Sequence, residues 1–151
     1  MTVLLAVLEW GHIIPGIFWI GSVAYTYAMI LPTLRETPGS ATEVVKALEV
    51  RRRPALLGAP LVAIALGFLR GLLGGELGPT WYGATFGASL ILALALVAYQ
   101  QLVIIPATQQ FVMANGTDLD DSMARLRGTH LPELIGMYLL LALMVAMGFG
   151  Y

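Results

Sequence analysis

Four apolar runs constrain this chain more than any other feature of its sequence. They extend from about Val3 to Leu31, Pro54 to Leu73, Trp81 to Ile105 and Leu131 to Phe149. Crossing the hydrocarbon of a bilayer takes about 20 apolar residues as helix. A backbone in lipid must satisfy its own N–H and C=O groups, which leaves only helices and closed barrels. Runs this long are not the short alternating strands of a barrel. The expected fold is an all-α integral membrane protein, a bundle of four transmembrane helices forming a single domain over residues 1–151. Composition agrees. The chain is 58% hydrophobic and 11% charged, whereas about a quarter of a soluble domain is charged. No basic segment precedes the first run, which also exceeds a signal-peptide core of about 7–15 residues. It is expected to remain as a membrane anchor.

Charge sets the expected orientation. Arg35, Lys46, Arg51, Arg52, Arg53, Arg125 and Arg127 fall in the two connections on one side, and only Arg70 lies near the other. Basic residues stay cytoplasmic, so both long connections are expected inside and both termini outside. Trp81, Tyr82 and Tyr151 would mark the outer interface. Each connection is expected to hold a short cytoplasmic helix. One starts at the capping-box pattern Ser40-Ala41-Thr42-Glu43 and runs through Val44, Val45 and Leu48. It leads to Arg51, Arg52 and Arg53, placed to meet anionic lipid. The other follows a turn at Asn115-Gly116-Thr117-Asp118 and runs from Leu119 to Leu126, stopped by Gly128. Thr129 would then cap the last span, with Pro132 and Glu133 in its first turn. Pro15, Pro60 and Pro106 are expected to bend their spans. Gly83-Ala84-Thr85-Phe86-Gly87 is a small-residue pattern that suits packing inside the bundle, or a homo-oligomer or partner membrane subunit. A formal net charge of -1 offers no basic footprint for nucleic acid.

Chemistry concentrates in the first span. The chain has two histidines and no cysteine, which excludes disulfides, thiolate metal sites and iron–sulfur clusters. His12 lies inside the apolar run, and ionisable side chains at that depth mark functional sites by default. Glu9, His12, Gly16, Trp19, Val23 and Tyr27 share one helical stripe that should face the bundle interior. Gly16 leaves an indentation for a flat cofactor or a partner helix. A neutral imidazole ligates haem iron or copper well. Glu9 is a candidate to hold the other ring nitrogen. The alternatives are a histidine bonded to a neighbouring helix, with Glu9 in water, and a proton-relay role.

His130, at the start of the last span, is either an interfacial residue or a second ligand. The two histidines should differ in depth by roughly 15 Å across a core of ~30 Å. Two separate sites fit that offset better than one shared metal. Met29, Met137, Tyr138 and Met144 are further ligand candidates, although methionine in an apolar helix is more often packing. Tyr99, Gln100 and Gln101 form a polar patch near His130 that can line a small cavity or bond between helices. Arg70 and Glu76 flank the outer end of the second span and are expected in solvent, the alternative being that Arg70 meets a propionate or Glu9.

His12, Trp19, Gly21, Leu31-Pro32 and Arg35 together resemble the first helix of small bacterial membrane proteins of the broad copper-resistance-D-like and HemJ-like group. The four-span layout and the basic segment before the second span are similar as well. HemJ-like proteins bind haem b and act in protoporphyrinogen oxidation, and copper-resistance-D-like proteins are linked to copper uptake. The resemblance implies a redox or metal-handling protein of a bacterial-type cytoplasmic membrane. His12 is the residue that carries over. The expected function is a haem b-binding redox protein with His12 as axial ligand. The alternatives are a copper-binding or copper-permeation protein and a cofactor-free scaffold subunit.

Overall fold

The computed structural model describes residues 2–75, 77–78, 80–113 and 119–148, with the backbone alone for residues 2, 38–39, 49–56 and 119–120. Glu76, Tyr151, the Asn115–Asp118 turn and the side chains of Arg51, Arg52 and Arg53 lie outside the described residues.

Those residues are helical apart from short connections. The elements are α1 (Thr2–Tyr25), α2 (Leu31–Glu36), α3 (Pro38–Gly74), α4 (Trp81–Tyr99), α5 (Ile105–Met113) and α6 (Leu119–Gly148). A π-helical turn at Thr26–Ile30 joins α1 to α2, and another at Gln100–Ile104 joins α4 to α5. The chain therefore makes four rods, each with a segment long and apolar enough to cross a membrane. α1 packs on α3 and α6, and α4 packs on the same two helices. The result is an up-down-up-down bundle. One end carries Thr2, the link after Gly74 and Gly148. The opposite, basic end carries Arg35, Lys46, Arg125 and Arg127.

The rods outreach a bilayer. α3 has 37 residues, or about 55 Å at 1.5 Å per residue, against a hydrocarbon core of ~30 Å. Beyond the spans, the basic end has its own core of Leu31, Leu34, Ala41, Val45, Phe111, Met123 and Leu126. This corrects the expectation of separate short helices in the connections. The segment at Ser40 is the first part of α3, which begins at Pro38 after Thr37. Ser40 caps nothing and instead donates to the Thr37 carbonyl. α6 likewise passes through Gly128 and Pro132 without stopping. The Thr129 hydroxyl donates back to the Leu126 carbonyl rather than capping a new helix. Packing of all four rods against one core overrides local stop signals of this kind.

The π-turns have a common cause. Leu31 N–H bonds to the Thr26 carbonyl, and Ile105 N–H to the Gln100 carbonyl, each reaching back five residues. Pro32 and Pro106 follow directly. A proline lacks an N–H and crowds the carbonyl four residues earlier. Widening the preceding turn absorbs both defects. α1 and α3 continue as α-helix through Pro15 and Pro60.

The core between the two ends holds Trp19, Val23, Ala93, Leu96, Met137 and Leu140. Close approach there depends on Gly136, where an added Cβ would stand 2.6 Å from Leu96 Cδ2. Gly87, part of the small-residue pattern, faces open space instead.

Candidate ligand cavity and buried polar cluster

His12 leans from α1 onto α3, where its Nδ1 lies 2.7 Å from the Ala63 carbonyl oxygen. A carbonyl only accepts, so Nδ1 carries the hydrogen. In the neutral ring, Nε2 then bears the lone pair, the state a metal-ligating imidazole needs. The role expected of Glu9, fixing the tautomer, falls to this backbone oxygen. Close approach of the two helices requires Gly67, because a Cβ there would meet the His12 ring at 2.6 Å. One turn further along α3, Gly71 seats the ring of Phe86 from α4 in the same way, with a Cβ-to-ring distance of 2.7 Å.

Both rings face a cavity of about 640 Å³ toward the terminal end of the bundle. Pockets for small molecules and cofactors span about 300–1,000 Å³. Ile13, Ile17, Ile20, Ile64, Leu90 and Leu140 give it apolar walls. Its polar groups are Glu9, His12, Arg70, Tyr82 and Ser89. Arg70 Nη1 donates to the Tyr82 hydroxyl at 3.4 Å. The Ser89 hydroxyl is turned to the Thr85 carbonyl of its own helix. Met144 and Met147 line the same space, which brings two thioethers to the cavity that holds His12. Gly16 forms part of the wall, and a methyl built on it would meet no atom within 4 Å. The indentation read from the sequence opens into this cavity.

The other predicted residues fall elsewhere. Glu9 is exposed at the cavity rim. Trp19 is 2% exposed in the middle core, away from the cavity lining, and its buried Nε1 has no hydrogen-bond partner. His130 belongs to the basic half of α6. It precedes Met144 by about 21 Å along the helix, so the two histidines occupy separate sites. His130 Nδ1 lies 2.9 Å from Glu133 Oε2, and Gln100 Nε2 donates to Glu133 Oε1. All three side chains are buried. Tyr99 ties α4 to α6 beside them through its hydroxyl, 2.9 Å from the Thr129 carbonyl. Among the described residues, no group of three or more His, Cys, Asp or Glu side chains is placed to hold a metal ion.

The sequence reading missed the glycines of α3, yet their signal was present. Ala63, Gly67 and Gly71 are small residues at every fourth position of the second span, one continuous groove on one helical face. Compared with family models, curated proteins and solved structures, the chain shows no significant match to any of them.

Proposed function

We propose that this is a multi-pass membrane protein that binds haem b in the cavity beside His12 and serves electron transfer or haem-dependent oxidation. The supporting observation is the His12 ring itself. Its Nδ1 is committed to the Ala63 carbonyl, so Nε2 is left as donor in the wall of an apolar cavity of suitable size. The residues present fit the group. His12 would hold the iron from one side, and Met144 is the soft donor available for another position. Gly16 leaves room for a flat macrocycle, and Arg70 offers a cation for a carboxylate at the rim. Bound there, haem would supply one-electron chemistry, while the chain supplies ligation, burial and orientation. Protein purified in detergent should be coloured or take up added hemin, with a Soret band that shifts on dithionite reduction. His12→Ala should lose that band. A preparation that stays colourless after hemin addition overturns the reading.

One observation favours a second reading. An imidazole with two thioethers, Met144 and Met147, is a donor set that suits copper, the thioethers favouring its reduced form. Copper bound stoichiometrically by hemin-free protein and lost in Met144→Leu would select it. We also propose that the basic end faces the cytoplasm of a bacterial-type cell, on the strength of the charge asymmetry.

A further inference from the structure

Gln100, His130 and Glu133 are 5%, 4% and 2% exposed, in the basic half of the bundle. Gln100 opens a π-turn, and this turn and the one at Thr26–Ile30 both pack on α6. Such turns occur frequently at functional sites. Each Glu133 oxygen has a partner, Gln100 Nε2 on one and His130 Nδ1 on the other. Gln100 Oε1 is buried and has none. A buried acceptor left this way lacks a donor, which in a polar site is normally water.

Proton counting gives the cluster a chemistry. The 2.9 Å contact between His130 Nδ1 and Glu133 Oε2 needs one hydrogen between the two atoms. Imidazolium beside carboxylate, and imidazole beside carboxylic acid, contain the same number of protons, and both pairs are neutral. Removing one proton leaves a neutral imidazole donating to a lone buried carboxylate. Among the described residues, His130 is the one basic side chain at ion-pair distance from Glu133. An uncompensated charge in such a place is costly.

We infer that this cluster is a proton-binding site. His130 and Glu133 take up one proton from water as a unit, changing from one negative charge to none, and release it to water in the reverse step. Gln100 positions the carboxylate through Nε2, and its Oε1 accepts a hydrogen bond from the water that delivers the proton. The ionisable neighbours are few. Tyr99 of α4 bonds to the Thr129 carbonyl. Tyr27 of the first π-turn lies under Arg127, 5.6 Å from its ring centre. Arg35 and Glu36 of α2, with Asp120, Asp121 and Arg125 of α6, lie toward the basic end, and α5 has no ionisable side chain. Glu9, His12 and Tyr25 of α1, Tyr82 of α4, and Tyr138 of α6 complete the set on the packed elements.

The inference is independent of the haem reading, so hemin-free protein tests it. The full chain in lipid nanodiscs, with ¹⁵N-labelled histidine and ¹³C-labelled glutamate carboxyls, gives only two histidine ring systems, which His12→Gln distinguishes. A pH titration should show His130 and Glu133 signals changing together in one step. Glu133→Gln should remove that step from His130, and Gln100→Leu should slow its exchange with water. Signals of His130 and Glu133 that stay fixed wherever the protein is folded, or that change at separate pH values, overturn the inference. Unaltered exchange in Gln100→Leu overturns the role of Oε1. Where Glu133→Gln does not fold, the wild-type titration decides alone.

Discussion

The imidazole of His12 rests on the backbone of Gly67, so closely that a methyl group at 67 would stand 2.6 Å from Nδ1 and 2.7 Å from Cε1. Gly67→Ala is therefore expected to push the ring off α3 and away from the Ala63 carbonyl. Losing the partner that orients a metal ligand weakens binding about 10–100-fold. Gly136→Ala meets Leu96 in the middle core, outside the cavity lining, and should leave the His12 ring and hemin binding in place whatever it costs in stability. Hemin titrations followed at the Soret band compare the two variants.

Filling the cavity should separate binding from folding. A side chain at Gly16 enters open space, so Gly16→Leu is expected to abolish hemin uptake. Its unfolding free energy should not fall below wild type, because replacing a glycine inside a helix gains about 0.5–1 kcal/mol. Thermal unfolding followed by circular dichroism, beside the absorption spectrum, checks both halves of the claim.

Glu133→Ala removes the acceptor that both His130 and Gln100 use. Breaking a buried pair from one side costs about 3–5 kcal/mol. Glu133→Gln keeps a carbonyl oxygen for one of the two partners and should lose distinctly less. Denaturant titrations in mixed micelles rank the variants, and equal losses would mean that the carboxylate carries no special weight.

Phe111 is 2% exposed in the core of the basic end. Phe111→Ala should cost about 3–5 kcal/mol and leave the spectrum of bound hemin unchanged, because the cavity lies at the other end. A shifted Soret band in this variant would show that the two ends are coupled.

The chain has no cysteine, so single cysteines report orientation cleanly. Lys46→Cys lies exposed at the basic end, and Leu77→Cys lies exposed in the opposite link. In intact cells a membrane-impermeant thiol reagent should label position 77 and spare position 46. The opposite pattern would invert the proposed topology.

The spans were legible because length and apolarity are local properties. Three stripe residues in α1, Gly16, Trp19 and Val23, are buried, while Glu9 at the start of the stripe is exposed. The ends of the helices were not legible. Ser40, Gly128 and Thr129 carry genuine capping and stop chemistry, but the core around Phe111 holds the rods together past them. The partner of His12 was hidden for another reason. A backbone carbonyl has no signature in the sequence, and Ala63 lies 51 residues away. Gln100 was legible as part of a polar patch, and Glu133 as a residue of the last span's first turn. Their pairing across 33 residues is a property of how α4 and α6 face each other, which no single helix encodes.

Pro32 and Pro106, each two residues beyond a π-turn, are separated by the same length of chain as His12 and Phe86. Both of those rings sit on glycines of α3. Of the two rings seated there, the first carries nitrogen and the second is plain hydrocarbon. Each molecule therefore offers one imidazole at the cavity, and any arrangement that needs two must recruit the second from another chain.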